Sequence, residues 1–213
     1  MADPEAEIVQ DPTRTSECTI EFYNSNAEDY ARATQSNDLS YLYPLLLDRI
    51  PSGGVVLDAG SGSGRDTVAF LKQGYRVEAF DASARLAAIA TERSGIAVDV
   101  CRFEDWIAPE ARYDGIWCFA SLLHVAQRDL PDVLSKLGLA CRRGGWLFAS
   151  FKQGTGEVLD DRGRRYTNLT KAMARQLFEE SIEFNNVDVW EEPGPSGLGD
   201  TTTWVYVVAQ RLD

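Results

Sequence analysis

Residues 55–66 read Val-Val-Leu-Asp-Ala-Gly-Ser-Gly-Ser-Gly-Arg-Asp, with three glycines at alternate positions behind an acid. Gly60, Gly62 and Gly64 let a backbone turn sharply and let a ligand approach main-chain N–H groups at the positive end of a following helix. Such a loop reads as a nucleotide site when a strand precedes it and a helix follows. Asp58 stands ahead of the first glycine, where its charge would repel a pyrophosphate but suit the ammonium of an amino-acid tail. Asp81 ends the next apolar segment, close to the spacing at which an acid meets ribose hydroxyls. It could instead cap a helix starting near Ser83, a task Ser83 itself could fill. His124 is the only histidine of the chain. With an ordinary pKa of about 6.5 it is a candidate general base, and a structural role competes with that reading. Arg162, Arg164 and Arg165, with Tyr166 beside them and Lys152 upstream, could grip a carboxylate or phosphate in bidentate fashion. The bland alternative is a solvated loop whose charges pair with Glu157, Asp160 and Asp161.

The elements that must position these residues alternate. Apolar runs at 55–58, 75–80, 96–101, 113–119 and 146–151 read as strands, and helical periodicity covers 65–73, 84–93, 130–142 and 170–181. Two more strands, 182–190 and 201–210, are joined by a Pro- and Gly-containing turn region at 193–199. Strand and helix in alternation imply a doubly wound sheet that takes ligands at the carboxyl ends of its strands, where His124 and Lys152 fall. Residues 153–168 are too polar and glycine-rich for a buried element, and a loop of that length is often functional. Helical spacing begins at Glu21, and a second helix spans 39–50 before Pro51. Residues 1–20 read as an acidic, solvated and partly disordered arm.

The run Val-Leu-Asp-Ala-Gly-Ser-Gly-Ser-Gly with Phe80-Asp81-Ala-Ser83 resembles the cofactor motifs of class I S-adenosylmethionine-dependent methyltransferases. Gly115-Ile-Trp-Cys, Ser121-Leu-Leu-His124, Ser150-Phe-Lys152 and Gly163-Arg-Arg-Tyr166 look most like the small bacterial members labelled tellurite-resistance-like. The resemblance covers about residues 22–211. It implies an α/β fold, a doubly wound, mostly parallel seven-stranded Rossmann-like sheet with an antiparallel strand near its C-terminal edge. It also implies S-adenosylmethionine as cofactor, held through Asp58, Gly60, Gly62, Gly64, Asp81 and Ser83. In such proteins an acid after the third strand takes the adenine amino group, and Glu104 and Asp105 are both eligible here. The resemblance makes 21–213 one methyltransferase domain whose N-terminal helices, 21–50, lid the cofactor. Tyr30 or Tyr23 could then face the sulfonium or the substrate, since an aromatic face attracts a cation, with core packing as the alternative for each.

Composition narrows the partners. The chain has 213 residues, 44 % of them hydrophobic, enough for one core, and a net charge of −12. That charge opposes sequence-independent binding to nucleic acid or to anionic membrane. The four cysteines lack C-x-x-C spacing, so no metal site is expected. No signal peptide or membrane-spanning run is read, and the expected location is cytoplasmic. The favoured function is methyl transfer to an O, N or S atom of a small, anionic molecule. A tRNA methyltransferase is the alternative, because Arg142, Arg143, Lys152, Arg162, Arg164, Arg165, Lys171 and Arg175 concentrate positive charge in one third of the chain. A nicotinamide oxidoreductase or a non-catalytic nucleotide-binding module comes third.

Overall fold

The computed structural model describes residues 12–196 and 201–212. Helices α1 (Pro12–Ser25), α2 (Ala27–Gln35) and the short α3 (Pro44–Leu47) precede a strand and helix alternation. This runs β1 (Val55–Ala59), α4 (Arg65–Lys72), β2 (Arg76–Asp81), α5 (Ala84–Ser94), β3 (Val98–Val100), β4 (Tyr113–Cys118), α6 (Leu130–Ala140) and β5 (Cys141–Lys152). A hairpin of β6 (Gly156–Leu159) and β7 (Arg165–Asn168) follows, then α7 (Lys171–Glu179), β8 (Phe184–Pro195) and β9 (Thr201–Arg211).

The main sheet has seven strands in the order β3-β2-β1-β4-β5-β9-β8, and β9 alone runs against the others. β1 and β4 are buried along their whole length, as expected of strands covered on both faces. The chain winds outward from β1 through β2 to β3, then returns to β4 on the other side. Neighbouring β1 and β4 thus form the switch point at which such a sheet opens a crevice beyond its strand ends. Trp117 of β4 anchors the core below that crevice, stacked on Phe148 with ring centroids 4.1 Å apart.

Several sequence expectations change. Residues 1–11 of the expected acidic arm, and 197–200 of the expected turn region, lie outside the described residues. Helix α1 begins at Pro12, ahead of Glu21, and buries Ser16 and Thr19. The helix expected over 39–50 shrinks to α3, because Pro44 lacks an N–H and suits the first helical turn rather than an interior. Residues 153–168 are a hairpin rather than a solvated loop. Arg164, Arg165, Tyr166 and Thr167 are buried, Thr167 donating its hydroxyl to the Val125 carbonyl at 2.6 Å.

Candidate active site

Two adjoining hollows open at the switch point. The first is lined from α1 and α2 by Tyr23 and Tyr30, from the glycine loop by Gly60 and Gly62, and beyond β2 by Asp81 and Ser83. Arg102, Phe103 and Glu104 follow from beyond β3, and Ser121 and His124 from beyond β4. The second shares Gly60, Gly62, Tyr30 and Ala120 as a rim and continues to Arg65, Asp66, Phe119 and Trp204.

The loop itself departs from expectation. The N–H groups of Gly60 and Ser61 both donate to the Phe80 carbonyl, at 2.9 and 3.0 Å, and that of Gly64 to the Ser61 carbonyl at 3.0 Å. The Gly62 N–H donates to Asp81 Oδ2 at 2.8 Å. These four N–H donors are thus spent inside the protein rather than offered to a ligand. Its glycines have separate reasons. A Cβ on Gly60 (φ +75°) would lie 2.4 Å from Ser121 Cβ, and one on Gly64 (φ +80°) would lie 2.9 Å from Ala90. A Cβ on Gly62 (φ +56°) would meet only Tyr30, at 3.8 Å. Gly64 therefore serves α4–α5 packing, and Gly62 keeps the hollow open. Gly60→Val should lower the melting temperature and abolish nucleoside binding together. Gly62→Ala, with about 1–2 kcal/mol of left-handed backbone cost, should remain folded. Thermal denaturation beside calorimetry separates the two.

Asp81 Oδ1 accepts the Ser83 N–H at 2.8 Å, and Oδ2 accepts that of Gly62, which leaves each oxygen a lone pair toward the hollow. Burial pushes this carboxyl up to about 6. The cap of α5 is Ser83, whose Oγ accepts from Leu86 N at 3.2 Å and donates to Asn24 Oδ1 at 2.8 Å. Its hydroxyl is therefore occupied.

Asp58, expected beside an ammonium, does not line the hollows. It is 2 % exposed, accepts the Thr67 hydroxyl at 2.5 Å, and is pushed well above the usual carboxylate range by burial and by neighbouring Asp66. Glu104 lines the first hollow, with Arg102 Nη2 3.4 Å from its carboxylate. Asp105 does not line it; its side chain is 70 % exposed and lies 3.8 Å from Arg102.

Both nitrogens of His124 are engaged. Nδ1 lies 2.6 Å from the Arg165 carbonyl oxygen, which requires a proton on Nδ1, and Nε2 lies 2.9 Å from the Tyr23 hydroxyl, which donates to it. Burial, reinforced by nearby Arg164 and Lys152, lowers the imidazole to about 4. Burial pushes the Tyr23 phenol well up, with Arg164 nearby opposing the shift.

The expected cationic grip is taken apart. Arg164 sends Nε and Nη2 to Asp160 Oδ2 at 2.9 and 2.7 Å, and its guanidinium lies over Phe22, Tyr23 and Tyr166. Arg165 is 1 % exposed, with Nε 4.0 Å from Glu157. Arg162 is exposed at the hairpin turn. Lys152 Nζ sits 3.7 Å over the Tyr166 ring. These four cations and Tyr166 stand outside the lining of both hollows. The pairing with Asp160 and Glu157 matches the bland alternative, but two of the arginines are buried rather than solvated.

Sequence reasoning missed Phe103, Ser121, Arg65, Phe119 and Trp204. Phe119 and Ser121 follow β4 directly and were within reach of the rule that ligands meet strand ends. Trp204, on the antiparallel β9, carried no local signal.

A family model described as a methyltransferase domain matches residues 30–178. Among curated proteins none matches. Of the solved structures, a 1,6-didemethyltoxoflavin-N1-methyltransferase from Burkholderia thailandensis, with bound 1,6-didemethyltoxoflavin and S-adenosylhomocysteine, superimposes with TM-score 0.78 and 24 % identity, covering 100 % of this chain and 94 % of that one. Magnesium protoporphyrin IX methyltransferase from Synechocystis PCC 6803, with bound S-adenosylhomocysteine, gives 0.70 and 18 %, covering 92 % and 99 %. Phosphoethanolamine N-methyltransferase 2 of Haemonchus contortus, in complex with phosphomonomethylethanolamine and S-adenosylhomocysteine, gives 0.71 and 14 %, covering 93 % of this chain and 60 % of that one.

Proposed function

Since the chain belongs to the methyltransferase-domain family, we propose that it transfers the methyl group of S-adenosylmethionine to a nucleophilic atom of a small, planar molecule. The observation that carries the reading is the glycine loop, where the N–H groups of Gly60, Ser61, Gly62 and Gly64 are bonded within the protein while the Asp81 carboxylate lines the first hollow. A pyrophosphate needs the opposite arrangement, which argues against a nicotinamide cofactor. A nucleoside carrying a positive charge suits it.

Asp81 would accept the ribose hydroxyls, and Glu104, rather than Asp105, would take the adenine amino group beside Phe103. S-adenosylmethionine supplies an electrophilic methyl group on a sulfonium. The chain's part is to hold the two reactants in line across the shared rim, where positioning within about 3–3.5 Å supplies much of the rate. Helices α1 and α2, which bring Tyr23 to the first hollow and Tyr30 to that rim, would act as its lid. The acceptor would lie in the second hollow against Phe119 and Trp204, whose rings are 5.4 Å apart.

Phe119 and Trp204 supply an aromatic wall there, beside the Arg65–Asp66 ion pair. The anionic acceptor expected from the arginines loses its grip residues, since Arg164 and Arg165 are buried beside acids. The tRNA alternative weakens for a related reason. Its basic residues do not form one face: Arg142 pairs with Asp114 at the far end of β5 from Lys152, and Arg175 pairs with Glu179 on α7. Cations paired in this way leave little net field for phosphates. The B. thailandensis protein, whose bound acceptor is 1,6-didemethyltoxoflavin, offers a parallel in the type of molecule.

Calorimetry tests the reading. S-adenosylhomocysteine should bind above pH 6 and lose affinity as the pH falls through about 6, because a protonated Asp81 gives up its capacity to accept from the ribose. The loss approaches tenfold per pH unit when one proton must be displaced. Heat from NADH but none from S-adenosylhomocysteine would refute it. Binding of bulk tRNA with a steep salt dependence would refute the small-molecule acceptor.

A further inference from the structure

We infer that the acceptor arrives with its reacting lone pair already free at neutral pH, because among the described residues the side chains around the two hollows leave no group placed to remove a proton from it. The inference rests on the methyltransferase reading and narrows it to a class of acceptor.

The argument is a survey of proton acceptors among the described residues of the two hollows. His124 has no free nitrogen: Nδ1–H is held by the Arg165 carbonyl and Nε2 by the Tyr23 hydroxyl. Glu104 is held by Arg102. Asp66, at the wall of the second hollow, accepts from Tyr43 Oη at 2.8 Å, Trp117 Nε1 at 2.9 Å and Arg65 Nε at 2.7 Å. Asp81 accepts two backbone N–H groups and is assigned to the ribose.

Tyr30 at the shared rim and Cys101 in the first hollow are both pushed up by burial, which keeps them protonated at neutral pH. One indirect route remains, a relay in which Tyr23 takes the acceptor's proton while passing its own to His124. It would leave an imidazolium in a buried site. From α1, that site is faced by Tyr23; from β7 and the residue before it, by Tyr166 and Arg164; from β5, by Lys152; and from the hairpin turn, by Asp160. Two cations against one carboxylate, itself spent on Arg164, oppose a third positive charge. The low imidazole value of about 4 follows from the same burial and neighbours. Tyr23 and His124 are therefore positioning residues that fix α1 over β7, helped by the Arg165 N–H, which donates to Thr19 Oγ1 at 2.9 Å.

The step then balances without the protein's help. The acceptor's lone pair forms the bond to the methyl carbon, the carbon–sulfur bond breaks, and its electron pair returns to sulfur, giving S-adenosylhomocysteine. Any proton left on the acceptor leaves afterwards to water. Acceptors of this class are aromatic ring nitrogens and thiols or phenols already ionised near neutrality. Alcohols and aliphatic ammonium groups are excluded.

The sole histidine makes the test direct. Nitrogen NMR of the isotope-labelled full chain, saturated with S-adenosylhomocysteine, should show a neutral ring protonated on Nδ1 with a midpoint of about 4. A midpoint at or above the ordinary value of about 6.5, or a proton that moves to Nε2 in the complex, would overturn the inference. Calorimetry on the same sample keeps the two readings apart: absent heat removes the donor, whereas heat with a high midpoint removes only this inference. Products labelled from the methyl donor in cell extract should carry the new methyl on an aromatic nitrogen, a sulfur or an acidic oxygen. A methyl ether of an alcohol would overturn it.

Discussion

Asp81→Ala should weaken S-adenosylhomocysteine binding about 10- to 100-fold at pH 7.5 while leaving the melting temperature nearly unchanged. Hydrogen bonds to a charged acceptor contribute about 1.5–3 kcal/mol, and about 1.4 kcal/mol is a tenfold change. The substitution also strips the Gly62 and Ser83 N–H groups of their partner, which loosens the loop that borders both hollows. Stability responds less, because two effects oppose. Two backbone donors lose an acceptor, but a carboxylate that burial disfavours is removed. The signs can be separated by pH. The folded carboxyl titrates at about 6, above its usual range, so the cost of its charge is felt above pH 6 and fades as the pH falls through that value. Ligand affinity moves the other way, being lost in the same interval. Melting temperatures of wild type and Asp81→Asn should therefore diverge in wild type's favour below pH 6, as binding to wild type declines. Equal affinities of wild type and Asp81→Ala would remove the ribose assignment.

The sheet, and the residues now proposed for the nucleoside half of the site, were legible because their signals are local. A buried apolar run followed by glycines and then a helix fixes β1, its loop and α4, and Asp81 follows from the end of the next run. The same locality explains the errors. Whether a loop N–H faces a ligand depends on its partner, and the partners of Gly60 and Gly62 lie on β2, beyond α4. The hairpin at 156–168 reads as polar loop because Arg164 and Arg165 hide their charges against Asp160 and Glu157, pairings that a count of charges does not reveal. The proposed acceptor side was the least legible. Its walls come from α2, β4 and β9, which periodicity places one at a time but never together, and His124 acquires its role from Tyr23 and Arg165, far away in sequence.

Asp66→Ala should produce the largest loss of stability, about 3–5 kcal/mol, seen as a fall of about 10 °C in melting temperature for a chain of this size. Asp66 lies at the start of α4 and is 6 % exposed. Its carboxylate is the common acceptor of three elements: Tyr43 Oη before α3, Trp117 Nε1 on β4, and the neighbouring Arg65, which sends Nε to Oδ1 and Nη2 to Oδ2 at 3.0 Å. Alanine leaves the Tyr43 hydroxyl and the Trp117 indole buried without that acceptor, and each such group costs about 1–3 kcal/mol. It also frees Arg65, whose guanidinium lies over Phe119 at the wall of the second hollow with 5.6 Å to the ring centroid. Asp66→Asn keeps one carbonyl oxygen and should recover part of the loss, because one donor can still be satisfied and the start of α4 keeps its shape. A double substitution that removes the indole donor, Asp66→Asn with Trp117→Phe, should cost less than the sum of the single changes, since the two side chains share a bond. Strict additivity would mean that the bond contributes nothing, and an unchanged melting temperature in Asp66→Ala would mean that α4 is held to the core by packing alone.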